Sequence, residues 1–404
     1  MCTWVLLETV NYFTNRGGPV YLCLLDLRKA FDTVKHDLLF SKLRSRVHPL
    51  LLRLIIYSYL YQSVYVRWAG TVSGRFSVLN GVRQGAVASP IFFNVYTNDL
   101  FNILRNSGYG CNIDNLFYGL ISYADDSALL APSREALQKM VSLCEKYFDD
   151  HGIEISVDTD IKKSKTKCIA FNMKQTPQNI FLYNKPLPWV DSHEHLGNRV
   201  HKDESMSPDL LCKRAEYIGN VHALQQELGS QDPSVLIKLV RIYFCSFYGS
   251  NLWDLFDKSA NKLFSTWNTS IRNFYDLPYA THRYILQSLS GGPHLKTILC
   301  RRFLKFYCCL RDSPKYEVRH LFNLQKYDVR STFGRNCLNI CRERGFPNIE
   351  SMDMANLTDT FPTPPNEAWR LPFIKELCFV RDGYASSILS KQELDFVLDF
   401  VCTT

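Results

Sequence analysis

The sequence predicts an α+β protein whose first half mixes strands with helices and whose later part is mainly helical. Up to about residue 200, short apolar runs of strand length alternate with segments that repeat apolar residues at helical spacing. Beyond that point, Ser207-Pro208-Asp209 and Asp232-Pro233 are helix-start signals, and few alternating strand patterns follow them. The length of 404 residues is more than one domain usually needs, so we expect two or three.

Four short segments of the first half have the composition of strands. Val20–Leu25 is an apolar run that ends at Asp26, and residues 76–79 are closed by the turn signal Asn80-Gly81. Residues 120–123 and 127–131 flank Ala124-Asp125-Asp126, which is the pattern of a β-hairpin.

Helices are predicted between and after these strands. Leu38, Leu39 and Leu43 indicate one helix, and Ser89-Pro90 fits an N-cap followed by proline at the first helical position of a second. Pro132-Ser133 opens a third helix, for which Gly152 is a plausible stop.

Composition restricts the class of protein. Lysine and arginine outnumber aspartate and glutamate by 47 to 39, and the net charge of +8 suits a polyanionic partner. The 14 cysteines form no C-x2-C pair of the kind that structural zinc needs, so free thiols in a reducing compartment are expected. No signal peptide is apparent, and the longest apolar stretch, residues 50–61, is short and contains Arg53. We therefore expect an intracellular protein, cytoplasmic or nuclear, that is not secreted.

The residues with chemical potential are three aspartates. Asp125 and Asp126 adjoin in a tight turn, where two charged carboxylates favour a cation between them, although such a pair on its own is more often a hydrated turn. Asp26 ends another apolar strand, and on its own it would be interpreted as a helix-capping residue. A third carboxylate beside the pair would complete a two-metal site for displacement at phosphorus, and oxygen ligands without histidine favour Mg²⁺.

Three ordered motifs together resemble a known family. Residues 24–34, residues 80–85 with Ser89-Pro90 and Phe93-Asn94, and Tyr123-Ala124-Asp125-Asp126 resemble motifs A, B and C of reverse transcriptases. The wording of motif A is similar to that of LINE-type, non-LTR retrotransposons. The resemblance covers residues 1 to about 200 clearly and extends to about 310 more loosely. It implies a right-hand polymerase palm, with an antiparallel sheet and packed helices, followed by a helical thumb and a C-terminal region.

The resemblance implies roles for individual residues. Asp26, Asp125 and Asp126 would bind two Mg²⁺ ions, with Mn²⁺ an alternative, and join a dNTP to a DNA primer on an RNA template. Phe31 would be the steric gate against a 2′ hydroxyl, its alternative being an ordinary core phenylalanine. Gln84 and Gly85 would line the incoming nucleotide, and Ser89 is as well explained as an N-cap.

Two further motifs have more than one interpretation. Lys165, in the basic run of residues 162–167, resembles the lysine of motif D, which could act as general acid on pyrophosphate. Such a run is also typical of a solvated face or a phosphate contact. His195-Leu196-Gly197 resembles motif E, the primer grip, but has His195 where an aromatic residue is usual.

The resemblance also gives an expected division of the chain. Residues 1–200 would be the palm with a remnant of the fingers, 201–314 a thumb-like and connection region, and 315–404 a C-terminal region of unknown role. The upstream fingers and endonuclease of the family are not recognisable, so we expect an N-terminally truncated copy. The alternative is a catalytically inactive relic or a co-opted nucleic-acid-binding protein.

Overall fold

The computed structural model describes residues 1–158, 164–229, 231–281 and 283–352, which fall into two compact units. The first unit joins residues 1–209 to residues 310–334, and the second joins residues 210–309 to the described residues from 335 onward. None of the described helices is long and apolar enough to cross a membrane. The predicted α+β class is confirmed, and the Pro-rich stretch at residues 361–365 lies outside the described residues.

The strands of the described chain all lie in the first unit, up to residue 201. In chain order they are β1 (Val20–Leu25), β2 (Leu27–Arg28), β3 (Ser63–Val64), β4 (Arg67–Trp68), β5 (Thr71–Val72), β6 (Phe76–Ser77), β7 (Asn112–Ile113), β8 (Leu116–Phe117), β9 (Leu120–Tyr123), β10 (Asp126–Ala131), β11 (Glu154–Ile155), β12 (Lys167–Phe171), β13 (Phe181–Leu182), β14 (Lys185–Pro186), β15 (Ser192–His195) and β16 (Asn198–His201).

Helices surround these strands and make up most of the described chain after residue 201. They are α1 (Cys2–Thr14), α2 (His36–Leu43), α3 (Pro49–Leu60), α4 (Ser89–Asn106), α5 (Arg134–His151), α6 (Ser207–Leu228), α7 (Pro233–Leu239), α8 (Lys258–Phe274), α9 (Arg283–Leu289), α10 (Leu295–Arg311), α11 (Tyr316–Gln325) and α12 (Thr332–Arg344).

A four-stranded antiparallel sheet with the order β12-β1-β10-β9 lies at the centre of the first unit. Strand β1 occupies an inner position and buries all six of its residues, as its continuous apolar run predicts. Helices α4 and α5 pack with this sheet around one core, which includes Phe93, Tyr96, Leu129 and Phe148. The packed sheet can therefore hold the side chains at its strand ends in fixed positions.

Local signals explain most helix ends. The Ser133 hydroxyl accepts a hydrogen bond from the backbone of Ala136, and Gly152 ends α5 in the left-handed conformation, as predicted. Ser89 does not cap α4, because that helix begins at Ser89 itself and its hydroxyl donates to the carbonyl of Arg83 at 2.6 Å. The N-cap interpretation of Ser89 is therefore wrong.

The second unit is helical in its described part. Asp232 caps α7, and the Ser207-Pro208 signal marks the first turn of α6, so both helix starts are as predicted. Its core contains the fully buried Trp253 and Trp267. The domain boundaries expected near residues 200 and 314 separate functional regions as well as packed units, and they stay predictions.

Candidate active site

The hairpin between β9 and β10 presents the paired aspartates. Asp126 is the first residue of β10 and pairs with Tyr123, so Ala124 and Asp125 form a two-residue turn. Ala124 has φ of +54°, a left-handed conformation that costs energy for any residue with a side chain. Below the turn, the Ser122 and Ser127 hydroxyls lie 3.1 Å apart and connect the two strands. The hairpin is thus formed as predicted, with its backbone held in a strained turn.

Sheet register brings Asp26 to the same place. Leu25 pairs with Ser127, and one step further along these antiparallel strands Asp26 comes opposite Asp126. The backbone N–H of Asp26 donates to the Thr166 hydroxyl at 3.2 Å, and its carbonyl accepts from Ser156 at 2.7 Å. Asp26 is therefore fixed at a strand end, away from any helix start, which removes its helix-cap interpretation.

Lys165 approaches Asp26 from the other side. Leu24 pairs with Lys167, so continuing that register puts Lys165 opposite Asp26. The Lys165 ammonium lies 3.9 Å from the Oδ2 atom of Asp26, with most of the lysine side chain in solvent. Lys162 and Lys163, the other lysines of the basic run before Lys165, lie outside the described residues. One row across the sheet thus runs Lys165, Asp26, Asp126.

The carboxylates affect one another electrostatically. Partial burial raises the pKa of the Asp126 carboxyl, and the neighbouring charges of Asp125 and then Asp26 raise it further. This is the behaviour of a group that lacks enough positive charge around it. A divalent cation would relieve the repulsion, and hard carboxylate oxygens are the donors that Mg²⁺ prefers.

These three aspartates fit a metal only in part. Among residues 1–158, 164–229, 231–281 and 283–352, no three His, Cys, Asp or Glu side chains converge closely enough to hold an ion by themselves. Mg²⁺ typically takes one or two carboxylates and completes its shell with water and substrate phosphate. The donor set therefore fits a metal that arrives with its substrate better than a preformed cage.

A cavity of about 360 Å³ opens beside Asp26 and Asp126. Its polar lining includes residues from two further strand segments: Lys165 just before β12 and Lys167 at its start, and His193 and Glu194 in β15. Burial, and then the Lys167 ammonium, lowers the pKa of His193. The sequence reasoning missed His193 and Glu194. Their one local signal is their position directly before His195-Leu196-Gly197.

The motif B residues pack against the segment after Asp26. The N–H groups of Gly81 and Val82 donate to the carbonyls of Val34 and Phe31 at 2.8 and 2.7 Å, which joins the two segments. Nearby, the amide of Gln84 donates to the Asp32 carboxylate at 2.9 Å.

Phe31 and Gly85 occupy different surroundings in this region. The Phe31 ring is half-buried and stacks on Phe93, with centroids 5.0 Å apart, so it combines a core contact with an accessible edge. Gly85 has φ of +80° and open space where a Cβ would stand. Its need for glycine in this structure is conformational, and the space beside it is free for a ligand.

Motif E forms the β15–β16 hairpin, with Leu196 and Gly197 at its turn. The His195 ring is buried and lies 3.1 Å from the Thr3 hydroxyl of α1. Burial lowers the pKa of His195 to about 4, so the ring is neutral near pH 7. His195 thus connects the hairpin to α1, and a primer contact by this hairpin stays a prediction.

Three basic or aromatic residues of the second unit make contacts within it. Tyr217 is buried and donates to Ser270, and Arg214 donates to Thr266 at 2.7 Å. Arg241 is held by Ser290 and by the carbonyl of Pro293. A thumb role for this unit stays a prediction.

Comparison with known proteins finds a matching family and several relatives. Residues 4–197 match the family "Reverse transcriptase (RNA-dependent DNA polymerase)". The chain is 32% identical over 138 residues to a Pol polyprotein of the type-1 retrotransposable element R2 from Nasonia vitripennis, covering 34% of this chain and 13% of that protein. It is 23% identical over 225 residues to the RNA-directed DNA polymerase of the mobile element jockey from Drosophila funebris, covering 55% of this chain and 24% of that protein. A telomerase from Candida albicans has a TM-score of 0.37 at 12% identity, over 80% of this chain and 52% of that one.

The three aspartates lie within residues 4–197, the part of the chain that matches the reverse transcriptase family. The relatives are polymerases of non-LTR retrotransposons, including R2, jockey and the X-element. The family works on nucleic-acid templates with divalent metal ions. The chain spans between 13% and 33% of the length of the first R2 relatives that it matches.

Proposed function

We propose that this chain is an RNA-directed DNA polymerase of a non-LTR retrotransposon. It would transfer a nucleotide from a dNTP to the 3′ hydroxyl of a DNA primer paired with an RNA template. The observation that carries the proposal is the row Lys165, Asp26, Asp126 across the sheet, at the mouth of one cavity. The family of its relatives supports the same reaction.

Asp26, Asp125 and Asp126 would hold two Mg²⁺ ions, with Mn²⁺ as an alternative. When bound, such ions favour deprotonation of the attacking hydroxyl and offset the charge on the phosphates. The raised pKa of Asp126 supports the proposal, because it reflects carboxylate repulsion that a cation would relieve. Lys165 would donate a proton to the leaving pyrophosphate, and its ammonium is already beside Asp26.

Phe31, Gln84 and Gly85 would form the nucleotide site. Stacking on Phe93 fixes the plane of the Phe31 ring, as a gate against a 2′ hydroxyl requires. The Gln84 side chain is held by Asp32 next to the open space at Gly85. These contacts would hold the three residues in place before a substrate binds.

Primer extension tests the polymerase proposal. The full chain would receive an RNA template, a labelled DNA primer, Mg²⁺ and dNTPs. Asp125→Ala should reduce extension by at least about a hundredfold, since it removes a metal ligand. Asp114→Ala is the matched control, because Asp114 is likewise a turn aspartate in a short hairpin, between β7 and β8, and its side chain lies beside His320. Extension that is equal in the wild type and in Asp125→Ala would reject the proposal.

The alternative is a catalytically inactive, nucleic-acid-binding protein. Two observations favour it. In the described part of the chain, the carboxylates do not converge into a complete metal site, and Lys165 already neutralises part of the charge on Asp26. Template binding without extension, in either Mg²⁺ or Mn²⁺, would support this alternative.

Sugar selectivity tests the gate separately. Phe31→Val should raise ribonucleotide incorporation relative to dNTP use on the order of tenfold, because a clash of about 1–3 kcal/mol disappears. Phe101→Val, another half-buried ring that packs against Phe117, is the control for lost aromatic packing. Unchanged selectivity in an active Phe31→Val enzyme would reject the gate assignment and leave the polymerase proposal intact.

A further inference from the structure

The segment that runs from within α2 to within α4 has an unusual charge composition. Residues 38–98 contain no aspartate or glutamate, although the whole chain has 39 acidic residues. The same segment contains Lys42 and six arginines. A purely basic stretch of this length favours a partner that carries negative charge.

Within this segment, α3 leads into a two-stranded β-ribbon. Strands β3 and β6 pair at the base of the ribbon, and β4 and β5 pair at its tip, where Ala69 and Gly70 both have positive φ. The Val66–Ser73 backbone hydrogen bond of 2.9 Å connects the two pairs. Strands β4, β5 and β6 bury none of their residues. A two-stranded ribbon on its own is only marginally stable in water, so binding to a partner would stabilise this exposed part.

Aromatic rings are exposed along this helix and ribbon. Trp68, at the ribbon tip, is 81% exposed, which is far more than its apolar surface favours. The exposed Tyr57 and Tyr61 lie one helical turn apart, with ring centroids at 4.4 Å, and Tyr65 and Phe76 follow on the ribbon. Arginines lie among these rings along the chain.

Three exposed arginines accompany the rings. Arg53 lies on α3, and Arg67 and Arg75 lie on the two arms of the ribbon. Within the part of the chain that the structure describes, none of these three guanidinium groups forms a salt bridge or a side-chain hydrogen bond, whereas Arg28, Arg330 and Arg335 each pair with a carboxylate. Free guanidinium groups beside exposed rings are suited to phosphates beside unpaired bases.

We propose that this ribbon surface binds single-stranded nucleic acid. The ribbon surface consists of Arg53, Tyr57, Tyr61, Tyr65, Arg67, Trp68, Arg75 and Phe76. The rings would stack on unpaired bases, and the arginines would contact the phosphates between them. A duplex fits less well, because its bases already stack on each other. The absence of carboxylates favours a polyanion over a second copy of this basic chain.

The ribbon surface contains none of the residues assigned to nucleotidyl transfer. Its binding needs neither metal nor dNTP, so it goes beyond the proposed polymerase reaction and can be measured without it. The shared chemistry of unpaired bases and phosphates is offered by both RNA and DNA. The two sources are separated by the choice of probe.

Fluorescence anisotropy on the full chain tests the proposal, without metal and without dNTPs. The probes are fluorescein-labelled 12-nucleotide strands of oligo-dT and oligo-U, and a blunt 12-base-pair duplex. Trp68→Ala should weaken single-strand binding about tenfold, since stacking on one ring contributes about 1–3 kcal/mol. Trp68→Phe should restore most of the affinity because it retains a ring. Tyr109→Ala, an exposed ring after α4, is the control and should bind as the wild type does.

A salt titration tests the arginines independently of the rings. The double variant Arg67→Gln, Arg75→Gln should lower the slope of log Kd against log salt by about 1.4, because roughly 0.7 counterions are released for each of the two phosphate contacts on a single strand. Trp68→Ala should leave that slope unchanged. A preference for oligo-U over oligo-dT would identify RNA as the source, and the reverse preference would identify DNA.

Three results would overturn the proposal. The first is unchanged single-strand affinity in Trp68→Ala. The second is duplex binding as tight as single-strand binding and equally sensitive to Trp68. The third is a protein interface, shown if Leu54→Ser dissolves an oligomer while the Trp68 and arginine variants bind strands normally. If the chain has no polymerase activity and Trp68→Ala still loses single-strand binding, the ribbon-surface proposal is supported and only the polymerase reaction is rejected.

Discussion

Strand β1 buries all six of its residues, whereas strands β4 to β6, some 40 residues later, bury none. The sheet around β1 holds two aspartates at its strand ends with a packed core behind them. The ribbon surface holds rings and arginines in solvent with no such core. Reaction geometry requires side chains fixed to within fractions of an ångström, while sequence-tolerant stacking and phosphate contacts tolerate movement. The two regions therefore fit different tasks.

The largest test of this contrast compares two leucines. Leu129 is fully buried in β10, and Leu54 on α3 is 67% exposed. Leu129→Ala should lower the free energy of unfolding by about 2–5 kcal/mol, through lost apolar burial and the cavity left behind. Leu54→Ala should change it by less than about 0.5 kcal/mol. Urea unfolding measures both.

A comparable loss from the two leucine substitutions would break the contrast. It would mean that α3 contributes to the core as much as the sheet does, and the exposed face of α3 would then need another explanation than a partner.

A smaller effect on the free energy of unfolding is expected after β6, where the chain that leaves the ribbon contacts the motif A segment. Gly81 and Gly85 both have positive φ, but a Cβ on Gly81 would lie 2.8 Å from the Asp32 carbonyl oxygen, whereas Gly85 faces open space. Gly85→Ala should cost about 1–2 kcal/mol for the left-handed conformation alone. Gly81→Ala should cost about 3 kcal/mol, because backbone must also move.

The difference between the unfolding free energies of these two variants measures the cost of the clash separately from the cost of the left-handed conformation. Equal losses would show that the segments can separate without strain, and that their hydrogen bonds do not hold Phe31 and Gln84 in place.

The sequence predicted what local patterns determine. The six apolar residues of β1 define that strand to the residue, and the Ser133 and Gly152 signals bound α5 as expected. The 76–79 strand was predicted too long, since β6 ends at Ser77 where the chain leaves the ribbon. The hairpin at Asp125 and Asp126 followed from its two flanking apolar runs.

Contacts between distant segments could not be predicted in the same way. The approach of Lys165 to Asp26 spans 139 positions and depends on the register of β1 with β12, which no local pattern encodes. The contact between Thr3 and His195 is equally non-local. Ser89 was misassigned because its hydroxyl reaches back to Arg83 across a loop whose path the sequence does not show. The family resemblance predicted which aspartates come together, and the strand register shows how the sheet brings them together.

The smallest expected effect is a pH dependence on the sheet side of the contrast. The Lys42 ammonium lies 2.9 Å from Nε2 of His151, while Nδ1 of His151 donates to the carbonyl of Tyr147 at 2.7 Å. Since a carbonyl only accepts, Nδ1 carries the proton and Nε2 accepts from Lys42. Burial, and to a lesser extent the Lys42 charge, lowers the pKa of His151 below its usual 6.5.

A lowered histidine pKa means that the unfolded chain binds more protons than the folded one. The contribution of His151 to stability is therefore complete above about pH 6.5 and is lost as the pH falls from there towards its lowered pKa. Between pH 7.5 and 5.5, His151→Gln should lose less unfolding free energy than the wild type. The buried His195 and His294, whose pKa values burial lowers to about 4, leave that variant with a residual slope.

Lys42→Met sharpens the assignment, because it removes the neighbouring charge while keeping the histidine. Its loss of stability between pH 7.5 and 5.5 should fall between those of the wild type and His151→Gln, since burial still lowers the pKa of His151. If His151→Gln instead follows the wild-type pH profile, His151 is neither buried nor in contact with Lys42 in solution. The attachment of α2 to α4 and α5 would then depend on apolar packing and on the Lys42–Asp99 ion pair of 2.9 Å.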